Sequence, residues 1–258
     1  MHKQSNWDNV IISVSGGKDS AALMAWAVGE FPREKLACVH ALIDIDWAET
    51  RQVVENQCKF FNLPLVFVQA VDKNGKDKGF LDQLTAPRID RKTKEVKQYQ
   101  FPDMGNRWCT SILKTGPIDK YVRSLKGKSL VLIGERAEES PKRAALAMWR
   151  PDIGLSVNGR TVVKYSPILH LKESEVWAVI DSQGIPKHPC YSWGVSRASC
   201  AICIFSSNAE IKIAAQKAPE IVARYLVAES KIDHTFRYKP KTKKREAIKQ
   251  TVADILAT

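Results

Sequence analysis

Nothing in the sequence approaches the roughly 20 consecutive apolar residues that cross a bilayer. The longest apolar runs, such as residues 10–14 and 36–43, are of strand length. Residues 1–6 lack the hydrophobic stretch that directs export, so the expectation is a soluble, cytoplasmic protein. Thiols stay reduced there, which removes a disulfide framework as the use of the six cysteines. No internal repeat or low-complexity tract divides the chain. His170, His188 and His234 show no paired spacing for a metal, and neither a Ser/His/Asp nor a two-carboxylate arrangement is present. Acidic residues are also short in number: 28 Asp and Glu face 40 Lys and Arg, a net charge of +12, which points to an anionic partner. With 258 residues the chain can bury a core without a disulfide or metal merely to fold.

What is present has the rhythm of βαβ units. Residues 10–14 form a β-branched run that ends on Ser15-Gly16-Gly17, and 21–28 continue with helix formers. A second apolar run at 36–45, a helical pattern at 47–61 and a third strand at 63–70 repeat the alternation, which implies parallel strands. Residues 72–106 break it with Gly, Pro and Lys and read as a long excursion. The sheet resumes at 129–133, and 151–163 reads as a small decorating hairpin around Asn158-Gly159. Residues 173–183 fit an amphipathic helix closed by Gly184; 185–205 have no regular period, and 208–258 read as two or three helices. The expectation is an α/β domain at 1–170, a parallel sheet flanked by helices, and a small cysteine-bearing helical part with a basic tail at 171–258.

Ser15-Gly16-Gly17-Lys18-Asp19-Ser20 is the most informative segment. Glycines between strand and helix let the backbone turn tightly and offer several N–H groups to one anion, while the helix N-terminus and Lys18 add positive potential. The spacing is not that of the P-loop, G-x-x-x-x-G-K-[ST]. It resembles the pyrophosphate-binding PP-loop of N-type ATP pyrophosphatases, which split ATP between the α and β phosphates, and so implies an adenine nucleotide alpha hydrolase-like fold. The run Asp44 to Thr50, Arg107-Trp108-Cys109-Thr110 before Lys114, and Gly134 to Ser140 before Arg143 narrow the resemblance to the phosphoadenylyl-sulfate (PAPS) reductase superfamily. On that resemblance Lys18, Asp19 and Arg136 are the expected catalytic residues. Ser15, Gly16, Gly17, Ser20, Asp44, Arg107, Lys114, Gly134 and Arg143 join Lys18 and Asp19 around ATP. Chemically, Arg107, Lys114, Arg136 and Arg143 can clamp phosphate or sulfate oxygens. Glu135, Glu138 and Glu139 are candidates to hold Mg2+ with the triphosphate.

Cys38 and Cys58 sit in strand-like and helix-like apolar runs and read as buried hydrophobes. Cys109, Cys190, Cys200 and Cys203 lie among Gly, Pro, Ser and Arg and supply four thiolates, enough for a [4Fe–4S] cluster or a zinc site. The resemblance favours the cluster, since iron–sulfur members of the superfamily use a comparable site. These include adenylyl-sulfate reductases and the DNA phosphorothioation proteins of the DndC/SspD type. The reductases also need a nucleophilic cysteine in a C-terminal tail, whereas no cysteine follows Cys203 here and residues 237–245 are strongly basic. With a second basic stretch at 88–97, that composition suits a phosphate backbone. The resulting expectation is an ATP pyrophosphatase that adenylates an acceptor oxygen, on DNA, for sulfur incorporation, with a cysteine desulfurase as sulfur donor. A reductase of sulfonucleotides, a tRNA-thiolating enzyme and a zinc-bearing binding module are the alternatives.

Overall fold

The computed structural model describes residues 7–89, 92–98, 100–232, 234–239 and 248–258, without the side chains of Arg88, Lys97, Gln98, Lys239 and Ile248. Asn9–Ser13 forms strand β1, and the glycine turn leads into helix α1, Lys18–Glu30. Leu36–Leu42 (β2), Thr50–Phe60 (α2) and Leu65–Gln69 (β3) complete two parallel crossovers. Within the excursion the chain makes a short helix, Phe80–Thr85 (α3), and a hairpin of Pro87–Ile89 (β4) with Val96–Gln98 (β5). A π-helical turn, Thr110–Thr115, runs into Gly116–Ser124 (α4), and Lys128–Ile133 (β6) returns beside β1. After the single turn Pro141–Ala144 (α5) come Trp149–Pro151 (β7), Thr161–Tyr165 (β8) and Glu173–Gln183 (α6). Asn208–Lys217 (α7), Pro219–Ser230 (α8), a hairpin of Arg237–Lys239 (β9) with Ile248–Gln250 (β10), and Val252–Leu256 (α9) follow.

The main sheet has six strands in the order β3-β2-β1-β6-β8-β7, parallel except at the β7 edge. This is the expected α/β class. Strand alternation sets its layers. Val10, Ile12, Leu130 and Leu132 share one buried cluster with Leu23 and Met24 of α1 and with Val176 and Ile180 of α6. Val131 and Val162 point to the other face, against Val122 of α4. Burial on both faces explains why these strands read as continuous apolar runs rather than as alternating ones.

Two expectations need correction. Asn158 and Gly159 do turn the chain, at φ +56° and +77°, with Arg160 N–H donating to Val157 O. The strands they join are not a decoration, though: β8 pairs in parallel with β6 and β7 closes the sheet edge. The 208–258 region holds three helices among its described residues, but the β9–β10 hairpin intervenes. The ring of Phe236, just before β9, packs on Phe101 and Tyr225, a long-range contact that no local pattern carries. That aromatic group belongs to a second core in which Ile45, Trp47, Phe80 and Trp108 pack with Cys190, Ile211 and Tyr225. No helix among the described residues is long and apolar enough to cross a membrane.

Candidate active site

From β1 the chain builds outward through β2 and β3 on one side, and from β6 through β8 on the other. The strand order therefore reverses between β1 and β6, where open parallel sheets form a ligand crevice at their carboxyl ends. The 15–20 loop leaves β1 at that point and Gly134 leaves β6. Gly16 holds φ +76°, a conformation that L side chains rarely adopt. At Gly134 a Cβ would lie 3.1 Å from the backbone oxygen of Asp19, so a side chain there would press the end of β6 against the first turn of α1 and one of them would have to give by a few tenths of an ångström. The Ser20 hydroxyl ties the loop to itself, donating to Gly17 O at 2.9 Å and accepting from Ser15 N–H at 3.2 Å. No side chain of the capping residue closes α1, which suits an anion at its N-terminus.

Lys18, Asp19 and Arg136 are brought together. The Arg136 side chain is 3% exposed and donates to Asp19 and to Glu138, both at 2.5 Å, with Glu173 at 3.4 Å. Burial works against its charge, but Asp19, Glu138 and Glu173 outweigh it and hold the guanidinium above its ordinary value. The Lys18 ammonium donates to Ser196 O at 2.9 Å and lies 3.4 Å from the second oxygen of Glu173. Glu173, the first residue of α6, thus bridges both cations.

Arg143 pairs with Glu139, and Arg197 reaches the other oxygen of that carboxylate at 3.1 Å. Burial lowers Arg143 from its ordinary value; the nearby cations Arg197 and Arg107 add to the effect, while Glu135 opposes it. Two guanidinium groups, Arg143 and Arg197, hold Glu139, and Arg107 adds a third positive charge near Arg143, while Glu135 is held by Arg150 at 2.7 Å. The glutamates expected to hold magnesium are all engaged: Glu135 by Arg150, Glu138 by Arg136, Glu139 by Arg143 and Arg197. They do not fit a magnesium site as they stand.

Among the described residues no group of three or more His, Cys, Asp or Glu side chains is arranged to hold a metal ion. The four-cysteine ligand set does not fit the structure. Cys109, Cys200 and Cys203 share a half-buried setting in which Lys114 is their common cationic neighbour and Asp46 lies beside Cys200 and Lys114. Burial pushes Cys109 and Cys200 up, so both are thiols at neutral pH. Cys190 is fully buried in the second core, with Lys18, Glu49 and Glu210 as its charged neighbours, and burial pushes it up to about 12. Cys38 and Cys58 lie buried on β2 and α2, as expected.

Asp44, expected at the ligand, has its carboxylate engaged within the protein: one oxygen accepts from Phe80 N–H at 2.5 Å and the other pairs with Arg224 at 2.6 Å. Of the two basic stretches, residues 90, 91 and 240–247 lie outside the described residues. Sequence reasoning missed Glu173, Tyr191, Ser196 and Arg197. Tyr191 Oη sits on the loop, 2.8 Å from Lys18 N. His188, read as a surface or packing residue, is buried and holds the segment in place. Its Nδ1 accepts from Cys190 N–H at 3.1 Å, so Nε2 carries the proton and donates to Thr50 Oγ1 at 3.1 Å.

A family model described as "Phosphoadenosine phosphosulfate reductase domain" matches residues 9–206. A 37.8 kDa protein of Escherichia phage 186 is 30% identical, covering 83% of this chain and 72% of its own. An adenosine 5'-phosphosulfate reductase of Allochromatium vinosum is 34% identical over a shorter stretch, 37% of this chain and 34% of its own. A phosphoadenylyl-sulfate reductase structure from Candida auris superposes with a TM-score of 0.51 at 13% identity, over 78% of this chain and 85% of that one. That likeness shows the fold: a mostly parallel six-stranded sheet flanked by helices, of the adenine nucleotide alpha hydrolase-like kind.

Proposed function

The chain belongs to the phosphoadenosine phosphosulfate reductase domain family, and from that premise we propose that it is an ATP pyrophosphatase that adenylates an acceptor oxygen. The observation that supports this reading is the meeting of the 15–20 loop with Lys18, Asp19 and Arg136 where the strand order reverses. In the proposed step an acceptor oxygen attacks the α-phosphorus. The bond from that phosphorus to the α–β bridging oxygen breaks, and pyrophosphate leaves onto the loop with the bonding electrons. The amides of α1 and the Lys18 ammonium oppose the charge that develops on the leaving group. Asp19 positions Arg136, and Lys18 exchanges Glu173 and Ser196 O for phosphate oxygens. The excess positive charge of Arg107, Arg143 and Arg197 suits the anionic group that carries the acceptor.

The acceptor we propose is an oxygen of the DNA backbone, activated for sulfur incorporation with a cysteine desulfurase as donor. The net charge of +12 supports it, as does the group of Cys109, Cys200 and Cys203 beside Arg107. A second reading, reduction of a sulfonucleotide, is favoured by the named Allochromatium vinosum relative. Mass spectrometry of nuclease-digested DNA and tRNA, from cells with and without the chain, separates the readings. The proposal expects phosphorothioate dinucleotides that depend on Lys18. A thiolated tRNA nucleoside, or sulfite release from adenylyl sulfate with unmodified DNA, overturns it.

A further inference from the structure

Among the described residues, the hydrogen bonds of Tyr191 leave the proton of its hydroxyl without a partner. Tyr191 Oη accepts from Lys18 N–H at 2.8 Å and, more weakly, from Ala198 N–H at 3.4 Å. Both partners are donors, and no acceptor is seen for the O–H among the described residues. The ring is fixed by other means: Trp177 meets it edge-on at 4.8 Å, and the Lys18 ammonium lies 5.6 Å from its centroid. The hydroxyl stands over the loop, since a Cβ added at Gly17 would lie 3.4 Å from Oη. Burial pushes the phenol up to about 12, so it is a neutral donor at physiological pH.

Lys18 is the first residue of α1, and its amide is one that an anion at a helix N-terminus takes directly. Here the amide is answered by the phenol, which can pass the interaction on as an O–H placed further into the crevice. An N–H donated into the lone pair of a hydroxyl polarises it and strengthens its own donation.

We propose that Tyr191 is a pyrophosphate-binding residue: with pyrophosphate on residues 15–20, its O–H donates to a non-bridging oxygen while Oη continues to accept from Lys18 N–H. The assignment rests on the adenylation reading and adds a contact to its leaving group. It also makes the segment that runs on to Cys200 and Cys203 part of the loop site, joined to it through Tyr191 and through Ser196 O on Lys18.

The test is calorimetric titration of the full chain with inorganic pyrophosphate. Tyr191→Phe keeps the ring and its contact with Trp177, and its Kd is expected to rise at least about tenfold with the melting temperature held. Replacing Tyr191 with 3-fluorotyrosine, a more acidic phenol and stronger donor, is expected to tighten binding. A purely structural ring would not move the two in opposite directions. Unchanged or tighter binding by Tyr191→Phe overturns the proposal and makes the phenol a plug that the anion displaces. If Tyr191→Phe does not fold, the fluorotyrosine protein decides alone, and unchanged affinity overturns it. A parent chain that binds no pyrophosphate, indistinguishable from Lys18→Ala, overturns the loop reading and this one with it.

Discussion

Arg136 keeps its charge almost out of water because three carboxylates, Asp19, Glu138 and Glu173, converge on it. Removing the guanidinium leaves Glu138 and Glu173, each about half exposed, to return to solvent, while Asp19 remains largely shielded. Arg136→Ala is therefore expected to cost about 2–4 kcal/mol, somewhat less than a fully buried pair, by urea unfolding. His188 gives a pH signature. Burial lowers it from an ordinary 6.5 to about 4, so between those values the unfolded chain binds the proton the folded one refuses. Stability from this residue is complete above pH 6.5 and declines as the pH falls toward 4, by roughly 3 kcal/mol in all. Unfolding midpoints at pH 7 and pH 4.5 should differ less in His188→Gln than in the parent. The loop residues were legible in the sequence because glycines, lysine and serine stand in one short order. Glu173, Tyr191 and Arg197 were not, because their roles depend on partners 37 to 173 positions away or on a charge cluster assembled only by folding.

Elements position these side chains through close approaches. The end of β6 meets the first turn of α1 so closely that a Cβ at Gly134 would crowd the Asp19 backbone at 3.1 Å. Gly134→Ala is expected to cost about 1–3 kcal/mol and to weaken pyrophosphate binding together with it, because the strain falls on Asp19. Parent-like unfolding and binding would show that the two elements can part freely. The irregular 185–205 segment divides the cysteines: Cys190 faces the second core, while Cys200 and Cys203 join Cys109 at half-buried positions. Native alkylation followed by mass mapping should therefore modify Cys109, Cys200 and Cys203 well before Cys38, Cys58 and Cys190. Early labelling of Cys190 would contradict the placement. The sequence identified the four thiols but could not sort them, since the nine residues of non-periodic sequence between Cys190 and Cys200 do not say which way each side chain turns. The sheet was legible through its buried runs. The β9–β10 hairpin was not, because its anchor is the ring of Phe236 on Phe101 and Tyr225.

At the scale of the molecule, the proposed DNA acceptor and the excess of positive charge together predict binding that weakens with salt by counterion release. Fluorescence anisotropy with duplex DNA should give a log–log slope of about −3 or steeper, and a flat dependence would remove the electrostatic argument for a DNA acceptor. The central claim is narrower and concerns which bond of ATP breaks. ATP labelled in its γ-phosphate, incubated with the chain, magnesium and duplex DNA, should release the label as pyrophosphate and not as orthophosphate. In the Lys18→Ala, Asp19→Ala double variant that release should fall at least about a hundredfold, the scale of losing preorganised stabilisation of the leaving group. Label appearing as orthophosphate, or pyrophosphate release unchanged in the double variant, would contradict the account.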